Sequence, residues 1–127
     1  MIIELSDEMT EKAKNSPRLR AAYDPTPEDN SQRILNAVEP GTILPIHRHR
    51  TTTETIVVLR GRVRQNYYNE KGQLTESFEL APSSGIVGMS VPIGQWHALE
   101  SLESGSVILE TKDGAYSPIT AEDVLSV

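Results

Sequence analysis

This chain has only three histidines, and two of them stand two residues apart in His47-Arg48-His49. In an extended strand, residues i and i+2 share a face and lie about 6.6 Å apart along it. Two imidazoles inclined inward from such positions can converge on one cation at about 2.0–2.1 Å. Arg50 to Thr53 then supply enough chain for a hairpin turn, so that Glu54 on the returning strand can reach the same ion. The third histidine, His97, follows Pro92-Ile93-Gly94, a turn that launches another strand. His47, His49, Glu54 and His97 are therefore candidate ligands of one divalent transition metal. Three neutral imidazoles and a carboxylate form a borderline-to-hard donor set suited to Zn, Fe(II), Mn, Ni or Co. Four protein ligands on an ion that accepts five or six leave room for water or substrate. Such an ion can polarise a carbonyl, lower the pKa of bound water or, if redox-active, bind O₂.

Other side chains are candidates by strand parity. If Glu110 faces inward, so does Lys112, and with Tyr116 nearby they would supply an acid, a cation and a phenol; the alternative is an exposed Glu–Lys pair. Glu110 and Tyr116 are thus candidate catalytic groups, and Lys112 a candidate pocket residue. Gln32 and Arg33 are further pocket candidates, but they point to opposite faces of one strand, so only one of them can line a cavity. Trp96 lies on the face opposite His97 and is expected to pack. Arg18 and Arg20 could bind an anion or form a solvated cluster. Arg48, Arg50, Arg60, Arg62 and Arg64 are near enough in sequence to make a positive patch for an anionic small molecule, or a set of charges along strand edges.

These residues must be positioned by short strands. Residues 6–15 read as a helix, with Ser6 as cap, Asp7 and Glu8 in the first turn, Lys12 and Lys14 near the end and Pro17 beyond it. Tyr23 to Asn30, rich in Pro and Asp, reads as a loop. From Ser31 onward, apolar runs alternate with turn residues. Strands are expected at 31–38, 42–49, 55–59, 63–68, 86–91, 96–99 and 107–111, with a hairpin turn at Asn69-Glu70-Lys71-Gly72. Residues 120–127 read as one helical turn behind a Thr cap. About seven short strands at this spacing predict an all-β sandwich or barrel. Residues 1–30 are expected to pack as a helix and loop on a single barrel domain formed by 31–127. Thr55-Ile56-Val57-Val58-Leu59 is apolar on both faces, so its outer side needs the N-terminal segment or a second subunit, an argument for a homodimer.

Bulk properties narrow the classes. The 127 residues fit one domain, and 37% hydrophobic with 24% charged residues allow a modest core. A formal net charge of −6 argues against nucleic acid as a partner. With no cysteine, disulfides, thiolate metal sites and Cys nucleophiles are excluded. No apolar run approaches the roughly 20 residues that cross a bilayer, and the acidic start lacks a secretory pattern, so a soluble cytoplasmic protein with no membrane partner is the expectation.

The spacing Gly41, five residues, His47-x-His49, four residues, Glu54, six residues, Gly61 resembles the first motif of the cupin superfamily. Pro92-Ile93-Gly94-Gln95-Trp96-His97 resembles the core of its second motif, although the upstream glycine is displaced to Gly85 or Gly88 and Ser101 stands where many members carry Asn. The resemblance implies a cupin double-stranded β-helix, a jelly-roll barrel with a short N-terminal helix, holding a metal on the three histidines and the glutamate. A closer resemblance is to the WbuC-type cupin-fold metalloproteins, associated with bacterial O-antigen and surface-polysaccharide gene clusters. It rests on Ser16-Pro17-Arg18-Leu19-Arg20, Gln32-Arg33, Pro45-Ile46-His47-Arg48-His49 and residues 110–118. It implies a sugar or nucleotide-sugar context but no particular reaction.

The leading expectation is a metal-dependent enzyme on a small polar or sugar-like molecule, with isomerisation or epimerisation beside a carbonyl and Glu110 as proton carrier. Oxygenation is a rival chemistry. A non-catalytic metal- or ligand-binding module is a rival class, because the fold hosts both, and metal-free epimerase-like chemistry is a third.

Overall fold

A computed structural model describes residues 2–125. It contains two five-stranded antiparallel sheets. The strands are β1 (Arg20–Tyr23), β2 (Ser31–Val38), β3 (Ile46–His47), β4 (Glu54–Arg60), β5 (Val63–Tyr68), β6 (Leu74–Leu80), β7 (Gly88–Val91), β8 (Trp96–Ser101), β9 (Ser106–Asp113) and β10 (Val124–Leu125). One sheet runs β1-β2-β9-β4-β7 and the other β10-β3-β8-β5-β6. Facing each other, they form the expected cupin jelly roll.

Side-chain alternation explains what each strand contributes. On β9, Ile108, Glu110 and Lys112 share the inner face, and on β4 so do Val58, Ile56 and Glu54, paired in register as Val58↔Ile108, Ile56↔Glu110 and Glu54↔Lys112. One end of the interior is thus apolar, where Val38, Ile56, Val58, Val63, Leu80, Leu99 and Ile108 pack together. The other end is polar. The barrel is a core at one end and a chamber at the other.

The helix, α1 (Glu8–Lys14), is shorter than the expected 6–15. Asp7 takes the cap position without a side-chain cap bond, while the Ser6 hydroxyl accepts from the Glu8 N–H at 3.4 Å. Met9 and Ala13, one turn apart, pack on Leu35, Ala37 and Val107, which close the outer face of β2 and β9. That helix meets β4 at its last residue, where Arg60 Nη2 donates to Thr10 Oγ1 at 3.0 Å, while Leu59 beside it is 40% exposed.

Three expectations change. The strand expected at 42–49 is reduced to Ile46–His47, because Pro45 offers no N–H to a ladder and the Thr42 hydroxyl turns back onto the carbonyls of Leu19 and Glu39. Arg20–Tyr23 pairs with Leu35 to Val38 as an unforeseen edge strand; with no β-branched residue it carries little strand signal. Ala121–Asp123 makes the expected turn, of 3₁₀ type, but Val124–Leu125 then pairs with Ile46–His47, and the Thr120 hydroxyl reaches Asp123 Oδ2 rather than capping the backbone. The remainder of that expected turn, 126–127, lies outside the described residues. The hairpin at Asn69–Gly72 is as expected, joining β5 to β6.

Gly61 turns β4 into β5 with φ +88°, and a Cβ there would stand 2.7 Å from Ser106 Cα. Both the left-handed backbone and the close approach explain a glycine at the end of the first motif.

Candidate metal centre

Each histidine reaches the chamber by a different device. His47 lies opposite His97 in the β3–β8 ladder, so two strands far apart in sequence deliver two imidazoles side by side, with ring centroids 4.3 Å apart. His49 lies beyond the end of β3. Its carbonyl accepts from the Gly94 N–H at 2.8 Å, and the Arg48 N–H before it donates to the Asp123 carbonyl at 3.0 Å. Those two bonds, rather than an uninterrupted strand, bring its ring to 5.2 Å from that of His47. Candidate ligand atoms of His47, His49 and His97 all lie within 4.8 Å of one another.

Hydrogen bonding sets the tautomers. His47 Nδ1 lies 3.0 Å from the Pro45 carbonyl and His97 Nδ1 2.8 Å from the Gln95 carbonyl. A carbonyl only accepts, so Nδ1 carries the proton and Nε2 keeps a free lone pair. His97 Nε2 is buried and makes no hydrogen bond, a cost that buried polar atoms seldom bear without a partner; His49 Nε2 is buried as well. Glu54 stands between them, with Oε2 3.0 Å from His49 Nε2 and Oε1 3.8 Å from His97 Nε2. An orphaned imidazole nitrogen within a group of three histidines, beside a carboxylate, fits a divalent cation: His47, His49 and His97 would hold it, with Glu54 as a fourth candidate. Lys112 Nζ is 3.3 Å from His49 Nδ1.

Burial favours the neutral form of two of the imidazoles. Burial, then the neighbouring His97, lowers His47 from its usual 6.5 to about 4. Burial likewise lowers His97. Burial alone would raise Glu54, but contact with His49 and the nearness of His97 and His47 together carry it below the usual carboxylate range. His47 and His97 are thus held with lone pairs available to a cation, beside an ionised carboxylate.

A cavity of about 630 Å³ opens on this cluster and extends along the sheet to β1. Glu110 and Lys112 both line it, the inward alternative of the pair, as does Gln32, and Tyr116 stands at its edge with 68% of its surface exposed. Burial, followed by the charge of Glu54, raises the Glu110 carboxyl to about 8. Arg33 is a correction: it does not line this chamber but is bonded to Thr26 Oγ1 and Asp29 Oδ2, and it lines a second polar hollow that shares Gln32 and Lys112 with the chamber. Of the adjacent pair, Gln32 is the chamber residue. Gln65 was missed. It is 1% exposed, lines the chamber and donates to the Ala98 carbonyl; a glutamine at the inward position between Val63 and Tyr67 was the available signal.

Trp96 packs as expected, buried, with the Arg48 guanidinium 4.5 Å from its ring centroid. The arginine patch is internally neutralised: Arg48 and Arg50 pair with Asp123, Arg60 with Asp7, and Arg62 and Arg64 with Glu79. No helix among the described residues is long and apolar enough to cross a membrane.

Solved structures share this fold. KdgF from Halomonas sp. superposes with a TM-score of 0.64 at 14% identity, over 80% of this chain and 84% of that one. TT1209 from Thermus thermophilus superposes with a TM-score of 0.63 at 19% identity, over 80% and 89%. The capsular polysaccharide assembling protein CapF from Staphylococcus aureus gives a TM-score of 0.62 at 20% identity, over 78% of this chain but 29% of that one. No curated protein matches the sequence. A family model described as "Domain of unknown function (DUF6016)" matches residues 3–80, a stretch that includes His47, His49 and Glu54 and ends before His97. A cupin-fold chain with a three-histidine cluster that could hold a metal, this protein belongs to that family.

Proposed function

We propose that this protein is a metal-dependent enzyme that moves a proton beside a carbonyl of a small, sugar-like molecule, by isomerisation or epimerisation. One observation carries the reading: Glu110 projects into the same chamber as the histidine cluster, one inward step along β9 from Lys112, which touches His49. A bound cation would supply polarisation of the substrate carbonyl, which acidifies the neighbouring C–H. Glu110 takes that proton, the C–H electron pair becomes a C=C bond, and negative charge moves to the carbonyl oxygen. Delivery of a proton to the former carbonyl carbon, while the neighbouring hydroxyl passes its own proton to the former carbonyl oxygen and becomes the new carbonyl, completes isomerisation; delivery of a proton by Tyr116 or Lys112 to the opposite face of the original carbon, with the enolate oxygen re-forming the carbonyl, completes epimerisation. A carboxyl raised to about 8 exchanges protons readily near neutral pH, the condition general acid–base catalysis favours.

The setting we propose is surface-polysaccharide biosynthesis. The resemblance to WbuC-type metalloproteins supports it, as does the fold shared with a capsular polysaccharide assembling protein.

The test is Glu110→Gln on metal-loaded protein, assayed by NMR for solvent deuterium entering a panel of sugars and nucleotide-sugars. The reading expects exchange in the parent and at least a ~100-fold loss in the variant with metal content unchanged. Retained metal with no exchange by the parent on any substrate would instead favour a binding module.

A further inference from the structure

The chain carries a net charge of −6, and eight of its twelve Lys and Arg side chains have a carboxylate oxygen within 4.0 Å. Four have none among the described residues: Arg18, Arg20, Lys71 and Lys112. Lys71 sits in the exposed β5–β6 turn, and the other three line the one chamber that holds the histidine cluster. In an acidic protein that pairs its cations elsewhere, this concentration leaves positive potential focused inside a concave, partly dry space. The carboxylates on the chamber wall, Glu54 and Glu110, do not balance three cations together with a divalent ion.

The segment carrying the arginines is built in place. Leu19, between them, holds a φ of +56°, which is uncommon for a non-glycine residue. Its carbonyl accepts from the Glu39 N–H at 2.9 Å and from the Thr42 hydroxyl, so the strained turn is fastened from two sides. Strain of this kind persists only where surrounding structure imposes it, commonly at ligand clamps. Here it lets both Arg18 and Arg20 reach the chamber.

We infer that Arg18 and Arg20, with Lys112 as a third charge, form an anion-recognition end of the chamber. Its ligand is a small polyhydroxylated anion, a sugar bearing a carboxylate or a phosphate. The anionic group sits on the two arginines, which can bind it through paired N–H donors, while an oxygen elsewhere on the sugar faces the three histidines. At about 630 Å³ the chamber is of the size that encloses one such molecule. This inference rests on the proposed sugar-directed metal enzyme and names the class of its substrate.

Calorimetry at low salt tests it, with zinc-loaded protein and three probes: glucose, glucuronate and glucose 6-phosphate. At least one anionic sugar is expected to bind about tenfold or more tightly than glucose, the tighter of the two identifying carboxylate or phosphate. The double variant Arg18→Gln/Arg20→Gln should lose about tenfold or more of that affinity, with glucose binding and zinc content unchanged. Should the double variant fold poorly, Arg18→Gln alone, at an exposed position, is expected to show a smaller loss in the same direction. Equal binding of glucose and the anions, no binding of any probe, or undiminished anion affinity in the variants would overturn the inference. Repeating the titration on metal-stripped protein separates the two readings. Arginine-dependent anion binding in a protein that takes up no metal keeps this inference and removes the metal-enzyme reading. Arginine-independent sugar binding by metal-loaded protein does the reverse.

Discussion

At the scale of single residues, the site is prepared by backbone carbonyls two positions before two of its histidines. Pro45 and Gln95 each take the Nδ1 proton of the histidine that follows, which frees Nε2 for a cation. Removing a ligand should therefore cost more than the roughly 10–100-fold typical of outer partners: His97→Ala is expected to weaken zinc binding by more than about 100-fold in a competition titration. The shifted groups give the metal-free protein a definite pH response. His47 titrates near 6.5 when unfolded and about 4 when folded. Between those values the unfolded chain binds more protons, so stability is full above 6.5 and falls as pH drops toward 4. Glu110 acts in the opposite sense. Its folded value of about 8 lies above the usual 4.5, so the native state holds the extra proton and stability falls as pH rises through that window. Metal-free protein should lose up to about 2 kcal/mol between pH 6.5 and 8 by urea unfolding, and Glu110→Gln should flatten that slope. The residue types of the cluster were legible in the sequence because His-x-His, Glu and Pro-x-Gly-x-x-His are local patterns. The choice of Gln32 over Arg33 was not, since parity separates two neighbours without saying which face is inside.

Secondary-structure elements fit the expectations less evenly. Strands β2 and β5 have the bounds expected of them, because turn residues close them off: Pro40-Gly41 beyond β2, and Gly61 and Asn69–Gly72 on either side of β5. β3 does not. The i, i+2 argument placed His47 and His49 on one strand, yet the strand ends at His47 and His49 is held by Gly94. The two rings meet because a loop 45 residues on supplies the missing hydrogen bond, a long-range contact that no local pattern encodes. β10 was illegible for the same reason: two residues, Val124 and Leu125, gain strand form only by pairing with Ile46 and His47. The turn glycine gives a test at this scale. Gly61→Ala forces a Cβ into a left-handed position against Ser106 and should destabilise the protein by about 2 kcal/mol or more, read as a fall of several degrees in Tm.

For the molecule as a whole, the two sheets divide one interior into an apolar core and a polar chamber, and the division runs along single strands. β9 passes from Ile108 through Glu110 to Lys112, and β4 from Val58 through Ile56 to Glu54. The core end carries packing and the chamber end the candidate metal centre, so substitutions should separate the two. Ile108→Ala, in the core cluster, is expected to cost about 2–5 kcal/mol of unfolding free energy while leaving metal stoichiometry intact. The barrel class was readable from the number and spacing of short strands. Which residues share the chamber was not, because Arg20 enters it from an edge strand with no apolar run to announce it, and Arg18 from the turn before that strand.

The central claim is that His47, His49, Glu54 and His97 share one cation. Element analysis of purified protein, offered Zn, Fe, Mn, Ni and Co in turn and then desalted, tests it most directly, with the His97→Ala variant alongside. The account predicts one tightly held metal per chain in the parent and little in the variant. A parent that retains no stoichiometric metal, or a variant that retains as much as the parent, would contradict it.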